Sequence, residues 1–147
     1  MNIVSITDKF SVSGAIDLDS LKQLAKRGVT LLINVRPNME AVDQINDEAL
    51  AEMAALAGLS YVCIPVKSGE YPADKVAAFA RELHAERGAV HGICRTGTRA
   101  AHLWALAQCK AGVSKSWLQQ QLIQAGIDVI PIRIEVCSLS NTGRLFS

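Results

Sequence analysis

Short apolar runs alternate with amphipathic segments along most of the chain. Residues 29–35, 61–66 and 89–93 are nearly continuous apolar runs, typical of strands that are covered on both faces. The segments between them carry apolar residues at helical spacing and are bounded by capping residues and glycines. The predicted helices are 21–27 (capped by Asp19 or Ser20), one from Asn46 or Asp47 to Gly58, 75–86, 98–111 and 115–124.

This alternation predicts an α/β fold with a mostly parallel central sheet flanked by helices. Residues 11–14 are predicted to form a short edge strand, and residues 128–137 a further edge strand, because Pro131 cannot donate a ladder hydrogen bond. A chain of 147 residues is long enough to bury one full core, so residues 1–147 are expected to form a single domain.

Charge and cysteine content narrow the range of functions. The net charge of +1 gives no reason to expect nucleic acid or an anionic membrane as a partner. The chain has neither a basic-hydrophobic leader nor an apolar run of the ~20 residues that a membrane span needs, so we expect a cytoplasmic protein. The four cysteines form no CxxC pair and have no metal-like spacing with the histidines, so we predict free thiols and no metal or organic cofactor.

The segment from Cys94 to Arg99 carries the clearest chemical signal. It reads Cys-Arg-Thr-Gly-Thr-Arg and lies between the predicted strand 89–93 and the predicted helix 98–111. Backbone N–H groups of such a loop converge on its centre, and the helix dipole adds positive charge there. This field favours an anion and the thiolate of Cys94, which is the nucleophilic form of cysteine. Cys94 is therefore the candidate nucleophile, and Arg99 the candidate anion clamp.

The residues between these two are candidates for binding the anion. Arg95 is expected either to contact the substrate or to be a solvated side chain. Gly97 is expected to supply a backbone angle or a close approach that a Cβ would block. Thr96 and Thr98 are expected to donate hydrogen bonds to the anion or thiolate or to hold the loop, and Thr98 is also a candidate helix cap.

Several blocks of the chain together resemble one protein family. These blocks are residues 12–14 with 21–28, 33–40, 57–66 and 94–99 with 103–106. The chain resembles the small bacterial phosphatase-like domain found alone or attached to beta-lactamase hydrolase-like proteins, which is distantly similar to tyrosine and dual-specificity phosphatases. The resemblance covers about residues 3–127 and implies a phosphatase-like α/β fold with Cys94 as nucleophile and Arg99 as anion clamp.

Arg36 and Glu40 follow the end of the predicted strand 29–35, near the expected site. The resemblance implies that Arg36 braces the loop through hydrogen bonds, and direct contact with the substrate is the alternative.

The chain departs from the phosphatase pattern in two ways that affect its chemistry. Only four residues separate Cys94 from Arg99, one fewer than in tyrosine phosphatases, and this length resembles the loop of rhodaneses. The aspartate that serves phosphatases as general acid is missing after the predicted strand 61–66, where Lys67 comes first and Glu70 is the possible substitute. Both losses impair ester hydrolysis more than sulfur transfer, because thiolates leave readily without a general acid.

Three functions remain open, in order of preference. The first is a sulfurtransferase in which Cys94 accepts sulfur from thiosulfate or a persulfide and passes it to a low-molecular-weight thiol. The second is a phosphomonoesterase with a cysteinyl-phosphate intermediate. The third is an anion-binding module without turnover. All three imply a small anionic ligand, and the fold prediction barely separates them.

Overall fold

The structure is a computed structural model, which describes residues 3–85 and 88–129. A five-stranded sheet of order β1-β2-β5-β3-β4 forms its centre. Strand β1 pairs antiparallel with β2, and the β2–β5, β5–β3 and β3–β4 pairs are parallel. The predicted α/β fold with a mostly parallel sheet is thus confirmed. The strands are β1 Val4–Thr7, β2 Phe10–Ser13, β3 Val29–Asn34, β4 Ser60–Cys63 and β5 Ala89–Ile93.

Five helices cover the two faces of the sheet. Helices α1 and α2 pack on one face, and helices α3, α4 and α5 pack on the other. Helix α4 is the most enclosed, because its buried side chains reach around most of its surface. The helices are α1 Leu18–Lys26, α2 Asp47–Ala57, α3 Ala73–Ala85, α4 Thr98–Lys110 and α5 Lys115–Gln124.

The sheet therefore separates two hydrophobic cores. The larger one, on the α3–α5 side, contains a stacked pair of Phe10 and Trp104 whose ring centroids lie 5.4 Å apart. The smaller core joins Leu21 and Leu24 of α1 to Leu50 of α2. Burial on both faces is what a parallel sheet requires, and it explains the continuous apolar runs of the sequence.

Two expectations at the N-terminal side are wrong. The strand predicted at residues 11–14 is not at the edge, because β1 pairs with the outer side of β2. Helix α1 begins earlier than predicted and is capped by Asp17, whose carboxylate accepts the Ser20 N–H at 2.8 Å. Asp19, one of the predicted caps, lies inside the first turn, where a negative side chain still interacts favourably with the helix dipole.

Other predicted elements differ from the structure at their ends. Strand β4 ends at Cys63 rather than at residue 66, although the Val66 N–H still donates to the Val35 carbonyl at 3.0 Å. Of the strand predicted at 128–137, residues 130–137 lie outside the described residues, and residues 128 and 129 are not in a strand. The part of the chain that the structure describes contains no helix long and apolar enough to cross a membrane.

A buried histidine joins the neighbouring strands β2 and β5 through its hydrogen bonds. His91 of β5 lies between Ser11, whose hydroxyl is 2.7 Å from Nδ1, and Ser13, whose hydroxyl is 2.8 Å from Nε2. The Ser13 hydroxyl donates to the Gly14 carbonyl, so it accepts from Nε2–H and leaves Nδ1 to accept from Ser11. Burial lowers the pKa of His91 to about 4, which keeps the ring neutral at physiological pH.

His91 makes stability depend on pH in a defined window. The unfolded chain takes up this proton near pH 6.5 and the folded chain only near pH 4, so acidification stabilises the unfolded state first. We expect the free energy of unfolding to fall between these values, with His91 contributing at most about 1.4 kcal/mol per pH unit. Urea unfolding of His91→Gln should show a shallower pH slope than the parent. The exposed His84→Gln variant is the control, and equal slopes in all three proteins would contradict this role.

Candidate active site

The carboxyl ends of the parallel strands meet at one edge of the sheet, and Cys94 lies there directly after β5. Its side chain is buried, and its Sγ accepts the Gly97 N–H at 3.1 Å. Helix α4 begins at Thr98, so its positive N-terminus faces the same loop. The thiol is thus surrounded by a tight turn of backbone amides and a helix start, an arrangement suited to an anion.

Two glycines let this loop pack against the end of β2. A Cβ on Gly14 would lie 2.7 Å from the Arg95 carbonyl oxygen, too close for any side chain. Gly97 has φ +97°, and a Cβ there would lie 3.1 Å from Val12 Cγ2 and 3.2 Å from the Ser13 nitrogen. Both the angle and the close approach expected for Gly97 are therefore present in the structure.

Arg99 is buried in the first turn of α4, where the helix dipole disfavours a cation. Its NH1 donates to the Val66 carbonyl at 2.9 Å and to Glu40 Oε2 at 3.0 Å, and its NH2 donates to Glu40 Oε1 at 3.3 Å. Among the described residues, Nε of Arg99 is buried without a hydrogen-bond partner. This N–H is therefore a buried donor that no described residue satisfies.

Arg36 and Glu40 complete a chain of charges with Arg99. Arg36 Nε donates to Glu40 Oε1 at 2.9 Å, so one carboxylate holds two guanidinium groups. Partial burial opposes ionisation of Glu40, but the hydrogen bonds from Arg99 and Arg36 outweigh it and lower its pKa. Arg36 thus contacts Arg99 through Glu40, and the contacts of both residues are consistent with a bracing role.

The middle of the loop faces solvent. Arg95 and Thr96 are exposed, and the Thr96 hydroxyl donates to Thr98 Oγ1 at 3.2 Å. The Thr98 N–H donates to Thr96 Oγ1 at 3.4 Å. The expected capping role of Thr98 is wrong, because Thr98 is the first helical residue and Gly97 occupies the cap position without a side chain.

Glu70, the possible general acid, is exposed on the loop between β4 and α3. Its backbone N–H donates to the Lys67 carbonyl at 3.0 Å. Within residues 3–85 and 88–129, no hydrogen bond or ion pair joins its carboxylate to Cys94 or Arg99. The structure does not bring Glu70 into the site.

Tyr71 and Asn34 are site residues that the sequence analysis missed. The Tyr71 hydroxyl lies 2.9 Å from His102 Nδ1, and the charges of Cys94 and Arg99 both act on it. Asn34, at the end of β3, accepts the Arg36 N–H through Oδ1 at 3.0 Å and so fixes the start of the loop that carries Glu40. Tyr71 follows Glu70 directly, but nothing in the local pattern separates it from a core tyrosine.

A cavity of about 270 Å³ opens beside Cys94 on the α2 side of the sheet. Ile16, Ile45 and Leu50 supply apolar wall, and Arg36 and Gln44 supply hydrogen-bonding groups. The volume is sufficient for a small substituent attached to an anion bound at the loop.

The remaining cysteines and the possible metal ligands do not extend the site. Neither Cys63 nor Cys109 forms a disulfide with another described residue, and burial together with the nearby Asp47 raises the pKa of Cys63 to about 11. The side chains of the described residues form no cluster of three or more histidine, cysteine, aspartate or glutamate groups that could hold a metal ion.

Sequence comparison places the chain in a known family. The family described as the phosphatase-like domain of beta-lactamase hydrolase-like protein matches residues 2–111. The chain belongs to this family. A beta-lactamase hydrolase-like protein of Xylella fastidiosa (strain 9a5c) is 31% identical over 143 residues, an alignment that covers 84% of this chain and 33% of that protein. The chain therefore spans about a third of the length of this relative.

Solved structures support a phosphatase-like fold for this family member. The structure described as a phosphatase from Neisseria meningitidis Z2491 has a TM-score of 0.80 and 21% identity, over 93% of this chain and 99% of that one. PTPMT1 in complex with PI(5)P has a TM-score of 0.73 and 14% identity, over 93% and 92% of the two chains. These identities are low, so the structures support the fold and not a substrate. Family and fold together show an enzyme of the phosphatase-like class.

Gly97→Ala should destabilise this phosphatase-like domain more than Gly112→Ala does. The left-handed backbone alone costs about 1–2 kcal/mol for a residue with a Cβ, and the contact with β2 adds to it. Gly112→Ala is the matched control, because Gly112 has φ +98° with open space around its Cβ position. Urea unfolding measures both variants. An equal loss of stability would mean that the close approach to β2 contributes nothing.

Glu40→Gln should lower the free energy of unfolding by about 1–2 kcal/mol near neutral pH, because two guanidinium groups lose their charged partner. The pKa of Glu40 is lowered in the folded state, so its contribution is present above the ordinary glutamate pKa of about 4.3 and is lost on further acidification. The stability difference from the parent should therefore shrink as the pH falls from about 5 to 3.

The matched control for this variant is Glu52→Gln, which removes a carboxylate from the exposed face of α2. It should change stability by less than about 0.5 kcal/mol. If Glu40→Gln proves equally harmless, the ion pair with Arg99 does not support the site.

Proposed function

We propose that the Cys94 thiolate attacks the central atom of an anionic substrate held by the 94–97 loop and by Arg99. The observation that carries this proposal is the Gly97 N–H on Cys94 Sγ at 3.1 Å, together with the buried Nε–H of Arg99, in the first turn of the following helix, which has no partner among the described residues. One group stabilises the negative sulfur, and the other is ready to bind the substrate oxygen. Both are fixed by packing before a ligand arrives, as electrostatic catalysis requires.

Hydrolysis of a phosphate monoester is the reaction that the comparisons favour. Cys94 Sγ would form a bond to phosphorus while the bond to the leaving oxygen breaks, and water would then hydrolyse the cysteinyl-phosphate. The loop amides and Arg99 would bind the phosphate oxygens throughout. Two findings support this reaction for the present chain. The chain belongs to a phosphatase-like family, and its fold is similar to that of PTPMT1, which was solved in complex with the phosphate ester PI(5)P.

Sulfur transfer, the reaction preferred from the sequence, is kept as the second candidate because of the short loop and the exposed position of Glu70. With four residues between Cys94 and Arg99, the loop offers fewer amides to a tetrahedral phosphate. In this reaction Cys94 would attack the outer sulfur of thiosulfate and release sulfite, and a low-molecular-weight thiolate would then take the sulfur from the persulfide. The comparisons do not support thiosulfate or a thiol as partners, so this reaction rests on loop length and on the exposed position of Glu70.

Intact-protein mass spectrometry can distinguish the two reactions. The parent and Cys94→Ser are exposed briefly to thiosulfate or to para-nitrophenyl phosphate between about pH 5 and 7. For a phosphatase, we expect nitrophenol release or a phosphoryl adduct that requires Cys94, because this leaving group barely needs a general acid. Cys109→Ser is the control, since Cys109 is also a buried cysteine but lies in the last turn of α4.

The remaining outcomes identify the alternatives. A mass gain of one sulfur atom, seen only with thiosulfate and only when Cys94 is present, would replace the phosphatase proposal by sulfur transfer. No adduct and no product with either reagent would contradict both reactions, and an anion-binding module without turnover would be the remaining candidate function.

A further inference from the structure

The missing aspartate raises the question of what protonates the leaving oxygen. The segment after β4 is anchored to Arg99, because the Val66 carbonyl accepts a hydrogen bond from Arg99 NH1. Among the described residues of the loop between β4 and α3, the hydroxyl-bearing aromatic side chain is Tyr71. Tyr71 is half-buried against the core cluster that contains Cys94. Glu70 points into solvent instead, so the side chain of Tyr71 is the one that the loop turns inward.

A histidine is hydrogen-bonded to the far side of the Tyr71 hydroxyl. His102, buried one turn into α4, has its Nδ1 2.9 Å from that hydroxyl and its Nε2 2.6 Å from the Asp128 carbonyl oxygen. A carbonyl only accepts, so Nε2 carries a proton and the neutral ring accepts the Tyr71 O–H through Nδ1. A cationic ring would instead donate Nδ1–H to the tyrosine oxygen and free the phenolic proton to point toward the site.

We propose that Tyr71 and His102 form a proton relay that protonates the leaving oxygen of alkyl phosphate monoesters bound at Cys94. This inference rests on the phosphatase reaction proposed above. As the bond from Cys94 Sγ to phosphorus forms, the bond to the leaving oxygen breaks and its electron pair takes the Tyr71 proton. Tyr71 takes the Nδ1 proton of cationic His102, which leaves the neutral arrangement seen in the structure. The attacking water later returns one proton to His102 through Tyr71.

The acidities of the two groups explain why a pair is needed. Burial, reinforced by the negative charge of Cys94, raises the pKa of Tyr71 to about 12, although a hydrogen bond from the Gly69 backbone and the charge of Arg99 oppose the shift. Such a phenol alone is a weak acid. Burial lowers the pKa of His102, although the Asp128 carbonyl and carboxylate oppose the shift, so the loaded cationic form is populated on the acidic side of neutrality. The titratable and charged groups that act on the pair are thus Cys94, Arg99 and Asp128.

The relay predicts an effect that depends on the leaving group. We expect Tyr71→Phe, which keeps the ring packed on His102, to lower kcat/KM for glycerol phosphate about 100-fold. For para-nitrophenyl phosphate, whose leaving group needs no proton, the loss should be less than about threefold. Tyr61→Phe is the matched control, because Tyr61 is also half-buried but its hydroxyl donates to Asp47 on the other face of the sheet.

A second variant tests His102, and it keeps the relay testable if Tyr71→Phe fails to fold. His102→Asn keeps an acceptor for Tyr71 but cannot carry a proton, so it should show the same leaving-group dependence as Tyr71→Phe. In the parent, kcat/KM for glycerol phosphate should fall as the pH rises above the His102 pKa, and His102→Asn should remove that fall.

Four results would overturn the relay. An equal loss with both substrates in Tyr71→Phe would make Tyr71 a packing residue. Full activity on glycerol phosphate in His102→Asn would restrict His102 to holding Tyr71 in place. If the parent turns over para-nitrophenyl phosphate through Cys94 but not glycerol phosphate, the relay fails while the phosphatase proposal stands. Absence of turnover with both esters would overturn the two proposals together.

Discussion

The guanidinium of Arg99 is a buried cation at the positive end of a helix, and a group in that position must find compensating partners. A carboxylate and a backbone carbonyl supply them, and each arrives on a different loop. The loop after β3 brings Glu40, and the segment after β4 brings the Val66 carbonyl. The charge of one side chain on α4 thus holds three segments at the same edge of the sheet. Its buried Nε–H has no partner among the described residues and stays available as a donor.

Close backbone packing on the other side of the 94–97 loop also holds that loop in place. The end of β2 approaches the 94–97 loop so closely that side chains are excluded at Gly14 and strained at Gly97. The neutral imidazole of His91 in β5 is hydrogen-bonded to the Ser13 hydroxyl, which donates to the Gly14 carbonyl, and these bonds fix that end of β2. The loop is therefore fixed by backbone contact on one side and by an ion pair on the other. Such fixed donors are what stabilise developing charge without reorganisation.

Loop length and family similarity favour different reactions at the same cysteine. Family and fold support phosphate ester chemistry, whereas a loop one residue shorter than that of tyrosine phosphatases suits a smaller anion. The two reactions differ most in the leaving group, since an alkoxide needs a proton and sulfite or a thiolate does not. The side chains opposite Cys94 are therefore more informative about the reaction than the loop itself. Tyr71 and His102 are the described residues that could supply such a proton.

Hydrophobic periodicity alone determined the α/β class, the mostly parallel sheet and the strand-loop-helix unit around Cys94, because these patterns are local. Family resemblance pointed to Arg36 and Glu40. The interior position of β2 could not be read from the sequence, since it depends on a pairing with β1 that weak local patterns do not reveal. The exclusion of Glu70 and the inward position of Tyr71 were likewise decided by tertiary structure. Neighbouring residues on one loop differ little in local pattern, and only the contact with His102 and the packing against the core decide that Tyr71 rather than Glu70 is half-buried.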